Sequence, residues 1–451
     1  MIESQPKNLI KKLFKLLYRF SSQESGIFDK EQNENPIIYH YYYEIIRYWN
    51  KINFIIKKNL RYTNKSLKLE QDDLPIYFYI TYRVIWEIAS ISSILKDLNF
   101  YFKKKKEEEI SIKSFLNGLK TFSLSKALIN KDIKEILSIK LAIPSFFIDK
   151  LSNYMNLDFL RENLEAMNNL NNQMYTIWFN LNKIEEKNLY NQEFIINNLQ
   201  QKGVKVLKDE QIKYLFHVNN RRKIIESEWF KRGYLSFQDK GSSAVIEILN
   251  ARVNEYIYDM CAAPGMKTSL IAQKLNNKGK IIAVEFNRDR TKKLRKLLNH
   301  LNVKGVDLII ADSIDAPFKE DLKFDKILLD APCSGSGTFK SNPELKWRQN
   351  SRFLNQNIIL QEKLIASAIE LLKPGGILVY STCSLYAEEG ELQISKFLDY
   401  LEPLNLPKWL SPSYKVGNKT IKGTGRLYPA KHKTQGFFIG KFKKLNNNTK
   451  H

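Results

Sequence analysis

The stretch Tyr256-Ile-Tyr-Asp-Met-Cys-Ala-Ala-Pro-Gly-Met-Lys-Thr268 decides how this chain is read. A short strand, Tyr256–Asp259, runs without a break into small residues at 262, 263 and 265. Small side chains let a backbone approach a ligand closely, and Pro264 with Gly265 predicts a tight turn before a helix that begins near Lys267. Amide groups at the start of such a helix favour a polar or anionic group such as a carboxylate. A second strand, Lys280–Glu285, ends in an acid about 20 residues beyond Gly265, a spacing that suits binding of ribose hydroxyls. A third, Val306–Ala311, leads to Asp312, which is placed to accept from an adenine amino group. A fourth, Lys326–Asp330, ends in Asp330, and Ile377–Ser381 reads as a fifth. Strands alternating with helical segments imply a parallel, doubly wound sheet that binds ligands at the carboxyl ends of its strands. One acid at a strand end is often a mere turn former. Asp259, Glu285, Asp312 and Asp330 in order point instead to a nucleoside-containing cofactor. A dinucleotide site wants GxGxxG after the first strand and a phosphate loop wants GxxxxGK[ST]; this loop supplies neither. The glycine-rich Ser334-Gly-Ser-Gly337 follows the fourth strand and by itself says little.

Two of the three cysteines stand just past strand ends. Cys333 follows the fourth strand in Asp330-Ala-Pro-Cys-Ser-Gly335, and Cys383 follows the fifth in Tyr380-Ser-Thr-Cys-Ser384. Adjacent strands lie roughly 5 Å apart. If these two strands are neighbours, both thiols face one crevice at the cofactor's edge. A thiolate that adds to carbon 6 of a cytosine makes carbon 5 an enamine-like acceptor for the methyl group of a sulfonium, which is covalent catalysis by an activated thiol. A protonated Asp330 is suited to pair with the base and stabilise the adduct, and Lys267 to orient Asp330 or the base. The bland alternative is that Cys333 and Cys383 are small buried fillers, as free cysteines often are. Cys261 precedes the turn and reads as structural.

Composition narrows the partners. The chain has 451 residues, room for two or three domains, and is 43% hydrophobic, enough for real cores. Its formal net charge is +24, a footprint that points to a polyanion, most commonly nucleic acid. Three cysteines make no disulfide framework, and a reducing cytoplasm fits. Five scattered histidines and the absence of any CxxC argue against a metal site. The N-terminal MIESQPKNLIKKLFKLL carries charges throughout, unlike a signal peptide, and no stretch of about 18 apolar residues predicts a membrane span.

Residues 1–165 read as a helical domain, with apolar residues at helical spacing in Leu9, Leu13, Leu16 and Leu17 and in Tyr42, Ile45, Ile46 and Trp49. Lys103–Lys106 followed by Glu107–Glu109 reads as a solvated helix face. Residues 166–225 read as a small α+β module with strands at Tyr175–Phe179, Val204–Val206 and Tyr214–Val218. Residues 226–443 form the α/β domain, and 444–451 a disordered tail.

Several of these segments carry a family resemblance. Phe324-Asp-Lys-Ile-Leu-Leu-Asp-Ala-Pro-Cys-Ser-Gly335 closely resembles the signature of the Nop/Sun family of RNA cytosine-5 methyltransferases. Cys261-Ala-Ala-Pro-Gly-Met-Lys267 and Ser381-Thr-Cys-Ser384 resemble its cofactor and nucleophile motifs. Gly233-Tyr-Leu-Ser-Phe-Gln-Asp239 with Ser242-Ser243 resembles its opening motif, and Arg426-Leu-Tyr-Pro429 with Gly436-Phe-Phe438 its last. The five motifs occur in order over residues 225–443. The resemblance implies a Rossmann-like methyltransferase fold with a mostly parallel seven-stranded sheet, whose last strand, Phe437–Phe442, is antiparallel. It implies S-adenosylmethionine as cofactor, held by Cys261, Ala262, Ala263, Pro264, Gly265, Met266, Lys267, Glu285, Asp312 and Asp330. It implies Cys383 as nucleophile and Cys333 as the residue that assists product release, with Asp330 and Lys267 beside them. Met266 departs from the glycine that many members carry. DNA cytosine methyltransferases, which resemble this chemistry but use the cysteine of Pro-Cys, are the alternative; the Thr-Cys-Ser at Cys383 favours the RNA family. The helical part resembles, by architecture alone, the NusB-like RNA-binding domain of bacterial-type members. The expected activity is methylation of carbon 5 of cytosine in RNA, ribosomal RNA first and transfer RNA second, through a covalent Cys–pyrimidine adduct. The contrasting class is a non-catalytic RNA-binding scaffold. A cytoplasmic monomer with no metal and no membrane partner is expected. The exposed-looking cations Arg221, Arg222, Lys223, Lys231 and Arg232 are candidates for phosphate contacts, and Trp229, Phe230 and Trp347 for base stacking, although buried packing is the stronger reading of these aromatics.

Overall fold

A computed structural model describes residues 7–22, 35–63, 70–103, 108–171, 173–187 and 191–446. The chain folds into two compact units, residues 1–149 with 342–348, and residues 150–341 with 349–451. Residues 104–107 of the lysine–glutamate run and 447–451 of the tail lie outside the described residues. Ahead of them the tail is placed: Leu445 N donates to Tyr400 O at 2.9 Å.

The first unit is helical. Its central helix, Leu74–Ile85, is buried from Pro75 to Arg83, as expected of a sequence apolar on all sides. Arg83 is tolerated there because it ion-pairs with Glu87 at 2.8 Å and Asp97 at 3.0 Å. The segment 342–348 belongs to this unit, which no sequence signal announced. Lys346 Nζ donates to Arg47 O and Ala142 O, both at 3.1 Å, and Trp347 Nε1 to Ile46 O at 2.7 Å.

The second unit starts earlier than the boundary expected at 165. Helix Leu157–Asn168 packs on the short helix Pro429–His432, with the Phe159 ring edge-on to Tyr428 at 4.9 Å and Asn163 Oδ1 accepting from Ala430 N at 3.1 Å. A small antiparallel sheet follows. Its strands are β1 (Tyr175–Phe179), β2 (Val206–Lys208), β3 (Leu215–Val218) and β4 (Leu235–Phe237), in the order β2-β3-β1-β4. The strand expected at Val204 begins two residues later, because Val204 N caps the preceding helix by donating to Leu199 O at 3.0 Å.

The large sheet contains β5 (Tyr256–Asp259), β6 (Lys280–Val284), β7 (Val306–Ile309), β8 (Phe324–Asp330) and β9 (Leu372–Thr382). It continues with β10 (Leu401–Pro403) and β11 (Ser411–Pro412); a separate hairpin pairs β12 (Lys415–Val416) with β13 (Lys419–Thr420). β14 (Thr424–Leu427) and β15 (Phe437–Lys444) complete it. The order is β11-β14-β15-β9-β8-β5-β6-β7, with β10 on β15. β9, β8, β5, β6 and β7 run parallel, and β15 runs antiparallel to β9. This is the Rossmann-like methyltransferase sheet. It has nine strands rather than seven, the extra two being the short edge strands β10 and β11. Because β5 is flanked by β6 and β8, the chain winds outward in both directions from there, and a crevice opens at the carboxyl ends of β5 and β8. No described helix is long and apolar enough to cross a membrane.

Candidate active site

The turn after β5 is built to be tight. The Ala263–Pro264 bond is cis, and Gly265 adopts φ +107° immediately before helix Met266–Lys274. A Cβ at Gly265 would stand 2.3 Å from Leu294 Cδ1, so only glycine fits between turn and neighbouring helix. Ala262 and Ala263 are buried, Pro264 is exposed, and Ala262 N donates to Val284 O at 3.0 Å, tying the turn to β6. The half-buried Met266 turns its sulfur toward Ser236 Oγ, 3.8 Å away. Cys261 packs against the apolar layer under the sheet, and burial holds its thiol well above the ordinary value.

The four acids divide. Asp259 is fully buried and accepts from Thr268 Oγ1 at 2.7 Å, so it anchors the helix rather than facing the crevice. Burial pushes its carboxyl up to about 6. Glu285 accepts from Asn287 N at 2.9 Å and pairs with Arg290 at 3.4 Å. Arg290 also donates to Ala263 O at 2.7 Å, clasping the turn to the end of β6, a contact that sequence reasoning missed. Asp312 is exposed in the loop after β7, with Oδ1 taken by Ile314 N at 2.9 Å.

Asp330 is held by two polar side chains. Its Oδ2 meets Lys267 Nζ at 2.6 Å, and its Oδ1 accepts from Ser381 Oγ at 2.7 Å. Lys267 also donates to Ser242 Oγ at 3.2 Å. Burial works against the Lys267 ammonium, but the Asp330 carboxylate outweighs it and holds the amine above its ordinary value. Ser242 and Ser381 lie inside quoted motifs, yet neither was assigned a task.

β8 and β9 are neighbours in register, Asp330 opposite Ser381. That brings Cys333 Sγ to 3.3 Å from Cys383 Sγ, both half-buried. The hydrogen bond to Cys383, and then burial, hold the Cys333 thiol well above its ordinary value. Trp229 is buried with its Nε1 donating to Asn198 Oδ1 at 2.9 Å, and Trp347 is tied to Ile46, so both are packing residues rather than stacking platforms. No group of three or more His, Cys, Asp or Glu among the described residues is arranged to hold a metal.

A profile of the family described as "16S rRNA methyltransferase RsmB/F" matches residues 246–443. A crystal structure of a methyltransferase homolog protein from Pyrococcus horikoshii is 31% identical, covering 72% of this chain and all of that one with a TM-score of 0.60. The chain belongs to the Nop/Sun, or RsmB/F, family. A crystal structure titled PH0851 aligns over 98% of this chain and 99% of its own at 25% identity and a TM-score of 0.77. The tRNA (cytosine(72)-C(5))-methyltransferase of Pyrococcus horikoshii is 37% identical over 49% of this chain and 55% of its own length. This Nop/Sun chain spans about half the length of the first curated relatives it matches. The family profile takes in both cysteines, Lys267 and all four acids.

Proposed function

We propose that this chain methylates carbon 5 of a cytosine in RNA, with S-adenosylmethionine as methyl donor and Cys383 as nucleophile. The observation that carries the reading is the Cys333–Cys383 contact of 3.3 Å beside the Lys267–Asp330 pair. The donor set around the turn fits such a cofactor: Glu285 suits a ribose diol, Asp312 an exocyclic amine, and the amides opening helix Met266–Lys274 a carboxylate. The backbone of residues 261–266 would line its path, with Lys267 and Asp330 at its reactive end. When bound, the cofactor supplies an electrophilic methyl group on a sulfonium.

The chain's own residues do the rest. Cys383 adds as thiolate to carbon 6 of the ring, raising electron density at carbon 5. Asp330 faces the base edge and Lys267 holds its carboxylate in place. Restoring the aromatic ring needs a base to take the carbon-5 proton as the bond between Cys383 and carbon 6 breaks; Cys333 passes its proton to the leaving Cys383 sulfur and, as the thiolate so formed, takes up the carbon-5 proton. The base must leave its stack to reach the thiols, so a single-stranded or flipped target is expected.

The exposed cations Arg221, Arg222, Lys223, Lys231 and Arg232 support a polyanionic substrate. Arg221 and Tyr175, with Asn219 and Asn220, border a cleft of about 540 Å³ at the end of β1. β4 leads from that end of the small sheet into helix Lys240–Leu249, whose Ser242 bonds Lys267. Ribosomal RNA is the favoured substrate because the family profile carries that description; the similarity to a tRNA enzyme supports transfer RNA as the second reading. The test is adduct trapping with labelled cofactor and RNA. Cys383→Ala should abolish the protein–RNA adduct and Cys333→Ala should accumulate it; the reverse pattern would exchange the two roles. Bisulfite sequencing of RNA from cells with and without the gene then identifies the RNA and the base.

A further inference from the structure

Six residues beyond Cys383, the side chain of Glu389 is buried with no exposed surface. Its Oε1 accepts from Ser334 N at 2.8 Å and from Gln361 Nε2 at 3.1 Å. Its other oxygen accepts from Ser334 Oγ, and the Ser384 hydroxyl is a further donor. Ser334 adjoins Cys333 and Ser384 adjoins Cys383. One carboxylate thus grips the residue after each thiol. The backbone oxygen of Glu389 holds the end of β9, accepting from Tyr380 Oη at 2.8 Å and Thr382 Oγ1 at 3.2 Å. Gln361 closes the circuit by donating to Pro332 O at 2.8 Å, on the other side of Cys333. Cross-links between the two loops complete the frame: Gly337 N to Cys383 O at 2.9 Å and Leu385 N to Ser336 Oγ at 3.0 Å.

We propose that Glu389 is a positioning residue that holds the two cysteine loops so that their sulfurs stay in contact through addition and release. The proposal rests on the covalent mechanism above. Oε1 faces two N–H groups that can only donate, which fixes an oxygen there, whereas the serine hydroxyls on the other side can turn to donate or accept. Replacement by glutamine keeps shape and volume but removes any carboxylate charge and forces the hydroxyls on the Oε2 side to turn from donor to acceptor, which disturbs the hold on Ser334. The release step needs both sulfurs at the ring at once, so it is the step most exposed to a change in their separation.

The experiment compares wild type, Glu389→Gln and Ser334→Ala in cofactor titration, thermal melting, multiple-turnover methyl transfer and denaturing-gel detection of the RNA adduct. Ser334→Ala removes one hydroxyl partner at almost no change in volume and carries the test if Glu389→Gln does not fold. Expected are S-adenosylmethionine Kd values within about twofold of wild type, turnover lower by at least about tenfold in Glu389→Gln and less in Ser334→Ala, and more adduct trapped per turnover. Wild-type turnover and adduct levels in both variants would overturn the proposal. So would a loss of turnover matched by an equal loss of cofactor affinity, since that marks general disruption. If wild type itself transfers no methyl group and forms no adduct, it is the covalent reading that fails, a different outcome from either.

Discussion

Lys267 performs two tasks that its geometry makes inseparable. It ion-pairs with Asp330 at 2.6 Å and ties Asp330 to helix Lys240–Leu249 by donating to Ser242 Oγ at 3.2 Å. Lys267→Met keeps most of the stem and removes the charge. It should lower kcat by about 10²–10⁴-fold, the range for losing a positioned polar group at a reacting centre. Lys267→Arg should recover only part of that, because a planar guanidinium does not reproduce a point contact to Asp330 Oδ2 and Ser242 Oγ together; methyl-transfer kinetics decide both. Asp259 tests the layer beneath. Its folded value of about 6 lies above the ordinary 3.8, so its proton stabilises the fold fully below about 4, and that contribution is lost as pH rises through about 6. The difference corresponds to about 3 kcal/mol at most. Asp259→Asn keeps an oxygen for Thr268 and takes no charge, so its melting temperature relative to wild type should rise between pH 4 and pH 7. An unchanged difference across that range would show that Asp259 titrates normally.

Turns and loops set the site more than the strands do. Gly265→Ala would put a methyl group 2.3 Å from Leu294 Cδ1 at a φ that L-residues rarely adopt. The variant should lose about 1–3 kcal/mol of stability and at least about tenfold in cofactor affinity, read by melting and titration calorimetry. The loop after Cys383 is pinned from the other side by Arg426, fully buried and paired with Glu391 at 2.6 Å. Arg426 also donates to Ser384 O and Tyr386 O, both at 3.1 Å, and stacks over Tyr414 at 3.9 Å. Glu391→Ala leaves a buried guanidinium short of its anion and should cost about 3–5 kcal/mol in chemical denaturation. Replacing Glu391 and Arg426 together by apolar residues should cost less than Glu391→Ala alone, since no buried charge then remains.

Over the whole molecule, the +24 charge predicts the thermodynamics of RNA binding. Affinity should fall steeply with salt, with log K declining by about 0.7 per phosphate engaged against log salt for a single strand. Arg221→Ala combined with Lys231→Ala should flatten that slope while leaving cofactor affinity in place; an unchanged slope would move the RNA path elsewhere. The helical unit has its own claim on the chain between β8 and β9. Segment 342–348 is embedded there through Lys346 and Trp347, so the loop leaving the Cys333 turn is not a free surface loop. Nothing in the composition of residues 342–348 marked this, because the contacts are to backbone oxygens more than 200 residues away along the chain.

The sequence alone determined the strand–turn–helix around Gly265, the strands ending near Glu285, Asp312 and Asp330, and the two cysteine loops, since each depends on residues consecutive in the chain. Local sterics and spacing are enough for such features. It did not determine that Asp259 turns inward to Thr268 while Asp330 bonds Lys267 and Ser381. Nor did it reveal that one carboxylate, Glu389, binds the residues following both thiols. Those outcomes depend on which strands pair and in what register, a balance struck over the whole sheet. The decisive distance, 3.3 Å between two sulfurs 50 residues apart, exists because β9 lies beside β8 with Ser381 opposite Asp330.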